Sequence, residues 1–263
     1  MAPRDVPSNT PPESPPTGTQ IAMPLFASLA APEPAQVVEA WASLFPAAAK
    51  LRVADEHGAV ITYETDGRAL ATVHLPRPIP GDEATAALVT SWMWQKPDAE
   101  VRAHAAHAIV TALGAGDPLR AAWDVARLSA AMLRAGTGTA LYWGASLQVH
   151  PPELVASFSA EPRPPVALWV GITISGVSQA GPFSAATHGL AAFGQKELEV
   201  LGTRRPIGDL RLSLLQVASF LLARGPVLLD GQTFGPSADV KWSVRHRPSQ
   251  LVAGREVIVL EIP

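Results

Sequence analysis

Cysteine is absent from this chain of 263 residues, which excludes disulfide bridges and thiolate metal sites. Charged residues are scarce at 16%, whereas 48% of the residues are hydrophobic. This balance supports a sizeable core and excludes global disorder. No run reaches the 18 or so apolar residues that a membrane-spanning helix requires. We therefore expect a protein that does not cross a membrane.

Long basic clusters are also missing. The net charge is −3, and the densest basic stretches are Arg204-Arg205 and Arg245-His246-Arg247. Both stretches are too short to indicate a nucleic-acid groove. The first twenty residues lack the apolar segment of a signal peptide. We expect a cytoplasmic protein that binds neither nucleic acid nor membrane.

Residues 1–20 are rich in proline, serine and threonine. Such a segment cannot bury enough apolar surface to offset the entropy lost on ordering. We predict a disordered tail over 1–20 and one compact domain over 21–263. A polyproline ligand is the alternative for the tail, although Pro-Pro-Glu-Ser-Pro-Pro carries no basic flank.

Capping residues and apolar spacing predict four helices, near 34–44, 82–94, 118–135 and 208–223. Asp117-Pro118 is a clear start, because a capping carboxylate precedes proline at the first helical position. Asp82 is the expected cap of the second helix, which carries Leu88, Val89 and Trp92. The last helix has an apolar stripe made of Leu210, Leu214, Val217 and Leu221.

Strands are predicted by alternation and by two Asp-Gly hairpin signals, at Asp66-Gly67 and Asp230-Gly231. The predicted strands lie near 21–28, 51–54, 59–64, 69–75, 102–113, 139–143, 168–175, 227–229, 232–234, 240–244 and 256–262. The elements of 21–112 follow the order strand, helix, strands, helix, strand, and 104–229 repeat it. We predict an α+β fold of two abutting ferredoxin-like units in one domain, with halves 21–112 and 104–263.

Glycines, a histidine, an aromatic ring and two carboxylates occur together only in Thr187–Val200. Leu198 and Val200 alternate with Glu197 and Glu199, as in a strand with one apolar and one acidic face. The carboxylates would lie about 6–7 Å apart, suitable for acid-base catalysis or for a hard cation. The simpler interpretation, which we favour, is a solvated edge strand.

Three histidines and one tryptophan are further candidates. His104 and His107 would face opposite sides of a strand, which favours structural roles over a shared metal. His188 has no accompanying serine or cysteine nucleophile motif, so we expect a buried hydrogen-bonding histidine. Trp143 precedes a glycine and is expected to line a cleft. Gly136-Thr137-Gly138 follows a helix rather than a strand, so no nucleotide cofactor is expected.

The stretch Thr187-His188-Gly189-Leu190, followed by Phe193-Gly194-Gln195-Lys196-Glu197-Leu198-Glu199, resembles a bacterial family called domain of unknown function 4261. Asp230-Gly231-Gln232-Thr233 is also similar, and the clear resemblance covers 187–236. The resemblance implies an aromatic residue at the position of His188 in many relatives, which argues against His188 as a required catalyst. The resemblance implies a bacterial, cytosolic, mixed α/β protein and no known chemistry.

From these observations we predict a non-enzymatic protein that binds another protein. The specific expectation is an immunity protein that neutralises a secreted bacterial toxin. The expected partner-binding residues are Glu197, Glu199, His188 and Trp143, because acidic groups speed encounter with a basic toxin. No catalytic residue, metal or cofactor is assigned. The alternatives are a hydrolase or metal-dependent enzyme that uses Glu197, Glu199 and His188, and a purely structural scaffold.

Overall fold

The computed structural model describes residues 18–94, 98–114, 116–176, 181–237, 240–252 and 254–262. Most of the predicted tail lies outside this range, and its last residues differ from the prediction. Gln20 is buried, and its Nε2 donates a hydrogen bond to the Ala192 carbonyl at 3.1 Å. The Gly18 N–H donates to the same carbonyl at 3.1 Å. Gly18 and Gln20 are therefore already attached to the folded body before Ile21.

The fold is mixed α+β, as predicted, with its strands in two sheets. The helices are α1 Pro34–Leu44, α2 Glu83–Ala86, α3 Asp98–Arg102, α4 Pro118–Ala135, α5 Pro152–Ala160, α6 Val166–Trp169 and α7 Ile207–Arg224. Short 3-10 turns cover Ala87–Val89, Gly144–Ser146 and Leu190–Phe193. No helix in the described ranges is long and apolar enough to cross a membrane.

The first sheet has the order β2-β3-β4-β5-β1-β6-β7, and all its neighbouring strands are antiparallel. Its strands are β1 Ile21–Phe26, β2 Leu51–His57, β3 Val60–Thr65, β4 Arg68–Leu75, β5 Ala106–Ala112, β6 Gly138–Trp143 and β7 Gln148–His150. Helix α4 joins β5 to β6 across β1, which is the interleaving of a ferredoxin-like unit. The unit therefore spans 21–143 rather than 21–112.

The segment predicted as the helix 82–94 is only one α-turn and one 3-10 turn. The Asp82 side chain makes no capping hydrogen bond, so the helix start is weak. In contrast, the Asp117 Oδ1 accepts from the Leu119 N–H at 3.0 Å and begins an 18-residue helix. Helix α4 packs against α1 and takes the second helix position of this unit.

The second sheet has the order β11-β12-β13-β10-β9-β8, with β10 and β13 parallel and the other pairs antiparallel. Its strands are β8 Gly171–Gly176, β9 Phe183–His188, β10 Leu198–Thr203, β11 Thr233–Ser237, β12 Val240–Pro248 and β13 Glu256–Glu261. The strand at 106–112 belongs to the first sheet alone, so the two halves do not share it. One helix, α7, joins β10 to β11, and this order differs from that of a ferredoxin-like unit.

Three local predictions were wrong. The predicted strand 102–113 begins only at Ala106, because α3 occupies the preceding residues through Arg102. The predicted strand 168–175 begins at Gly171, after α6. Alternation failed there because Leu168, Trp169 and Val170 are all buried, so apolar residues occupy every position. The residues 227–229 are not a strand.

A continuous apolar core connects the two sheets. The Trp169 ring lies at its centre, 6.4 Å from Trp143, 6.2 Å from Trp123 and 5.5 Å from Phe193 between ring centroids. The predicted stripe of α7 is confirmed as its buried face, formed by Leu210, Leu214, Val217 and Leu221. The connection between β9 and β10 packs on this core, where Gly189 and Phe193 lie against Trp169.

Candidate functional site

The connection between β9 and β10, which we call the Glu197 loop, comprises Gly189–Glu197. Two glycines with left-handed backbone, Gly189 at φ 113° and Gly194 at φ 72°, enclose its 3-10 turn. A Cβ on Gly189 would lie 2.1 Å from the Trp169 carbonyl oxygen. Glycine is therefore required at this position both by backbone conformation and by space.

The Glu197 carboxylate is buried at the centre of this loop. One oxygen accepts from the Thr187 hydroxyl at 2.7 Å, and the other accepts from the Gly189 N–H at 2.9 Å and the Ala191 N–H at 3.1 Å. The Thr187 Oγ1 accepts from the Leu198 N–H at 2.8 Å. Burial raises the pKa of Glu197, and the donated hydrogen bonds oppose that rise. The carboxylate thus holds the loop closed.

Glu199 performs a comparable task on another segment, which we call the Glu199 turn, Ser249–Val252. Its carboxylate is fully buried and accepts from the Ser249 hydroxyl at 2.5 Å and the Gln250 N–H at 3.1 Å. The Ser249 Oγ also accepts from the N–H groups of Leu251 at 3.1 Å and Val252 at 2.8 Å. Glu199 therefore attaches the segment after β12 to β10.

The expectation of a solvated acidic face was wrong. Strand β10 is internal to the sheet, between β9 and β13, and both carboxylates are covered by the segments that they bind. Glu197 and Glu199 consequently present no exposed charge to a basic partner. Their hydrogen bonds account for them as structural groups.

His188 is buried, as expected, and its Nε2 lies 3.0 Å from the Thr173 hydroxyl. Burial, and then the charge of Arg255, lowers the pKa of His188 to about 4. The imidazole is therefore neutral near pH 7. With little exposed surface, His188 has no direct route to a partner.

His104 and His107 also have structural roles, and His104 precedes β5 rather than lying in it. The His104 Nε2 accepts from the Ile79 N–H at 3.0 Å, which fixes Nδ1 as the donor to the Val101 carbonyl at 2.5 Å. The His107 Nδ1 lies 2.8 Å from the Arg77 carbonyl. Within the described ranges no three His, Asp or Glu residues converge as a metal site.

Trp143 does not line a cleft. It is fully buried in the core beside Trp169. The signal that suggested a cleft, a tryptophan before Gly144, instead marks the end of β6 and the start of a 3-10 turn. Of the four predicted partner-binding residues, the structure brings none to an exposed surface.

The sequence reasoning missed a surface that we call the Trp92 patch, made of Val89, Trp92 and Leu147. Their exposed fractions are 87%, 40% and 40%. The segments 89–92 and 147–148 meet at Thr90. The Thr90 hydroxyl donates to the Leu147 carbonyl, and the Thr90 carbonyl accepts from Gln148 Nε2 at 3.3 Å. The apolar spacing of 88, 89 and 92 resembles a core-facing stripe, so the sequence gives no sign that these residues are exposed.

Two features distinguish this patch from scattered surface residues. Leu147 has φ 54° and ψ 42°, a left-handed conformation that a non-glycine residue rarely adopts. The Arg211 guanidinium lies 5.4 Å from the Trp92 ring centroid. The Arg211 Nε is buried and has no hydrogen-bond partner in the described residues, and burial lowers its pKa.

The comparisons with known proteins agree with the resemblance and extend it. The sequence profile of the family described as "Domain of unknown function (DUF4261)" matches residues 186–261. Curated proteins and solved structures give no match. The matched region contains the Glu197 loop, α7 and the Glu199 turn, whereas Val89, Trp92 and Leu147 precede it. Residues 186–261 of this chain are thus similar to the DUF4261 family.

Proposed function

We propose that this protein acts by binding another protein, and that the Trp92 patch is the centre of its binding surface. The observation that carries the proposal is the exposure of Val89, Trp92 and Leu147 around Thr90. Contiguous exposed apolar groups are typical of interaction sites. Tryptophan and arginine, both present here, are the residue types most enriched among residues that dominate binding energy.

The backbone of Leu147 supports the same proposal. A left-handed leucine costs of the order of 1 kcal/mol or more, and such outliers concentrate at functional sites. A glycine or asparagine would adopt this conformation more easily. The chain instead places a large apolar side chain there and exposes 40% of it. A partner that covers Leu147 gives a physical reason for this arrangement.

The chemistry of the partner follows from Arg211. Its guanidinium stacks on Trp92 and forms no salt bridge in the described part of the chain. The complementary surface is therefore an apolar side chain that covers Trp92, flanked by a carboxylate that pairs with Arg211. This partner differs from the basic surface that an acidic strand would have required.

The partner class that we propose is a secreted bacterial toxin, which the protein would neutralise in the cytoplasm. The toxin surface that fits is apolar and acidic. The test is capture from the native host with the wild-type protein, followed by binding measurements on a double variant, Val89→Ser with Trp92→Ser. The matched control is Leu29→Ser, because Leu29 is 58% exposed and lies outside the patch.

We expect the double variant to lose at least about tenfold in affinity, since truncation of a binding hot spot costs 2 kcal/mol or more. The control should bind as the wild type does. Unchanged affinity of the double variant would contradict the proposal. If the captured protein is a toxin, co-expression with the wild type and with Leu29→Ser should restore growth, and the double variant should not.

A further inference from the structure

A cavity of about 510 Å³ lies where β10 ends and the chain enters α7. Its volume is in the range of small-molecule sites. The lining is formed by Gly202, Thr203, Arg204, Arg205, Pro206 and Ile262. All of these lining residues except Ile262 lie within the matched range 186–261, and none belongs to the Trp92 patch.

Both arginines in the lining lack an acidic partner among the described residues. Arg205 is held in place, because its guanidinium carbon lies 5.6 Å from the Trp242 ring centroid and its Nη1 lies 3.5 Å from the Ser213 hydroxyl. Arg204 is exposed. The side chain of Asp209, in the first turn of α7, forms no ion pair with either arginine.

Thr203 adds a neutral donor. Its side chain is 4% exposed, and its Oγ1 accepts from the Arg205 N–H at 3.2 Å. No hydrogen bond from this hydroxyl is formed in the described structure, so its proton is free to point toward the cavity. The cavity therefore combines two positive charges with a buried hydroxyl donor, and Ile262 supplies an apolar wall.

We propose that this cavity binds the phosphate group of a small phosphorylated molecule. Two guanidinium groups match the charge of a phosphate dianion, and their paired N–H groups match its oxygens. The stacking of Arg205 on Trp242 reduces the side-chain entropy lost on binding. Ile262 contacts the organic part of the ligand. A singly charged carboxylate satisfies fewer of these donors.

The experiment is an NMR titration of the full chain with inorganic phosphate, phenyl phosphate and acetate at constant ionic strength. Inorganic phosphate and phenyl phosphate should both saturate the amide shifts of 202–206, with phenyl phosphate binding more tightly through Ile262. Arg205→Gln should weaken both by at least about tenfold, because a hydrogen bond to a charged group contributes about 1.5–3 kcal/mol. Acetate should bind more weakly than phosphate.

The matched control is Arg134→Gln, which removes one positive charge from an exposed arginine that lines a different cavity, beside Leu44 and Glu153. It should bind phosphate as the wild type does. Arg204→Gln is a second variant, since Arg204 is exposed and its replacement should leave folding intact. The proposal is overturned by an absence of saturable shifts, by equal weakening in Arg134→Gln, or by acetate binding as tightly as phosphate.

Discussion

Two buried carboxylates on one strand organise two different regions of the backbone. Glu197 accepts from groups within ten residues of itself and closes the loop between β9 and β10. Glu199 accepts from the Glu199 turn, which is 50 residues further along the chain. One interaction is local and the other joins distant segments, although both use a carboxylate to satisfy hydroxyl and backbone donors.

The burial of both side chains shows that a carboxylate's position in an alternating strand does not determine its exposure. What matters is whether neighbouring segments supply donors, because a buried carboxylate is stable only with hydrogen-bond partners. Arg255, which follows the Glu199 turn, contributes its charge to the lowered pKa of His188 beside the Glu197 loop.

The largest effect is expected from Glu197→Ala. It leaves the Thr187 hydroxyl and two loop N–H groups buried without an acceptor, so the free energy of unfolding should fall by roughly 3–5 kcal/mol. Urea unfolding measures this. Glu256→Ala is the control, because the exposed Glu256 pairs with Lys196 at 2.9 Å at the surface and should change stability by under about 1 kcal/mol. Equal effects of the two substitutions would contradict the account.

Glu199→Ala should have the next largest effect, a loss of roughly 2–3 kcal/mol, since fewer donors lose their acceptor. A double-mutant cycle with Ser249→Ala should give a coupling energy of at least about 1 kcal/mol. The same cycle between Glu197 and Ser249 should give under about 0.5 kcal/mol, because these side chains share no hydrogen bond. Similar coupling in both cycles would show that the regions are not independent.

Acidification should affect the Glu197 side through His188. The pKa of His188 is about 4 in the folded protein, compared with 6.5 for an unperturbed histidine. The unfolded chain therefore binds a proton first as pH falls. The stability that His188 contributes is complete above pH 6.5 and is lost as pH falls toward 4. This loss is about 2 kcal/mol at pH 5.

The measurement is urea unfolding of the wild type and of His188→Gln at pH 7.5 and pH 5. The difference between the two proteins removes the opposite contribution of Glu197, whose raised pKa favours the folded state at low pH. The wild type should lose more stability than the variant. Equal losses would mean that His188 titrates normally in the folded protein.

The smallest effect is expected from Gln20→Ala, at most about 1 kcal/mol. Gln20 donates to the Ala192 carbonyl of the Glu197 loop, but its Oε1 is buried without a partner in the described residues. The cost of that oxygen offsets part of the lost hydrogen bond. A loss larger than that of Glu199→Ala would show that the start of the chain, rather than Glu197, holds the loop.

The interactions of Glu197 with nearby residues were easier to predict from the sequence than those of Glu199 with a distant segment. Thr187, the two glycines and Glu197 occur within one stretch, so their association was predictable, although their burial was not. Glu199 and Ser249 are too far apart in sequence for any spacing rule to pair them. Likewise, the helix α4 was predictable from Asp117-Pro118, whereas its place across β1 depends on strand order.

The exposed surfaces were the least predictable. Val89 and Trp92 have the spacing of a core-facing helix, and only the short α2 and its 3-10 continuation leave them outside. The approach of Leu147 to Thr90 joins segments 57 residues apart. Composition predicted a large core and the order of the predicted elements indicated the α+β class, but tertiary packing decides which apolar residues remain on the surface.

Amide hydrogen exchange tests the central claim, that each carboxylate holds its own segment, most directly. In Glu197→Gln the amides of Gly189 and Ala191 should exchange at least about tenfold faster than in the wild type, and that of Gln250 should be unchanged. In Glu199→Gln the pattern should reverse, with faster exchange at Gln250 alone. Equal rates at all three amides in both variants would contradict the claim.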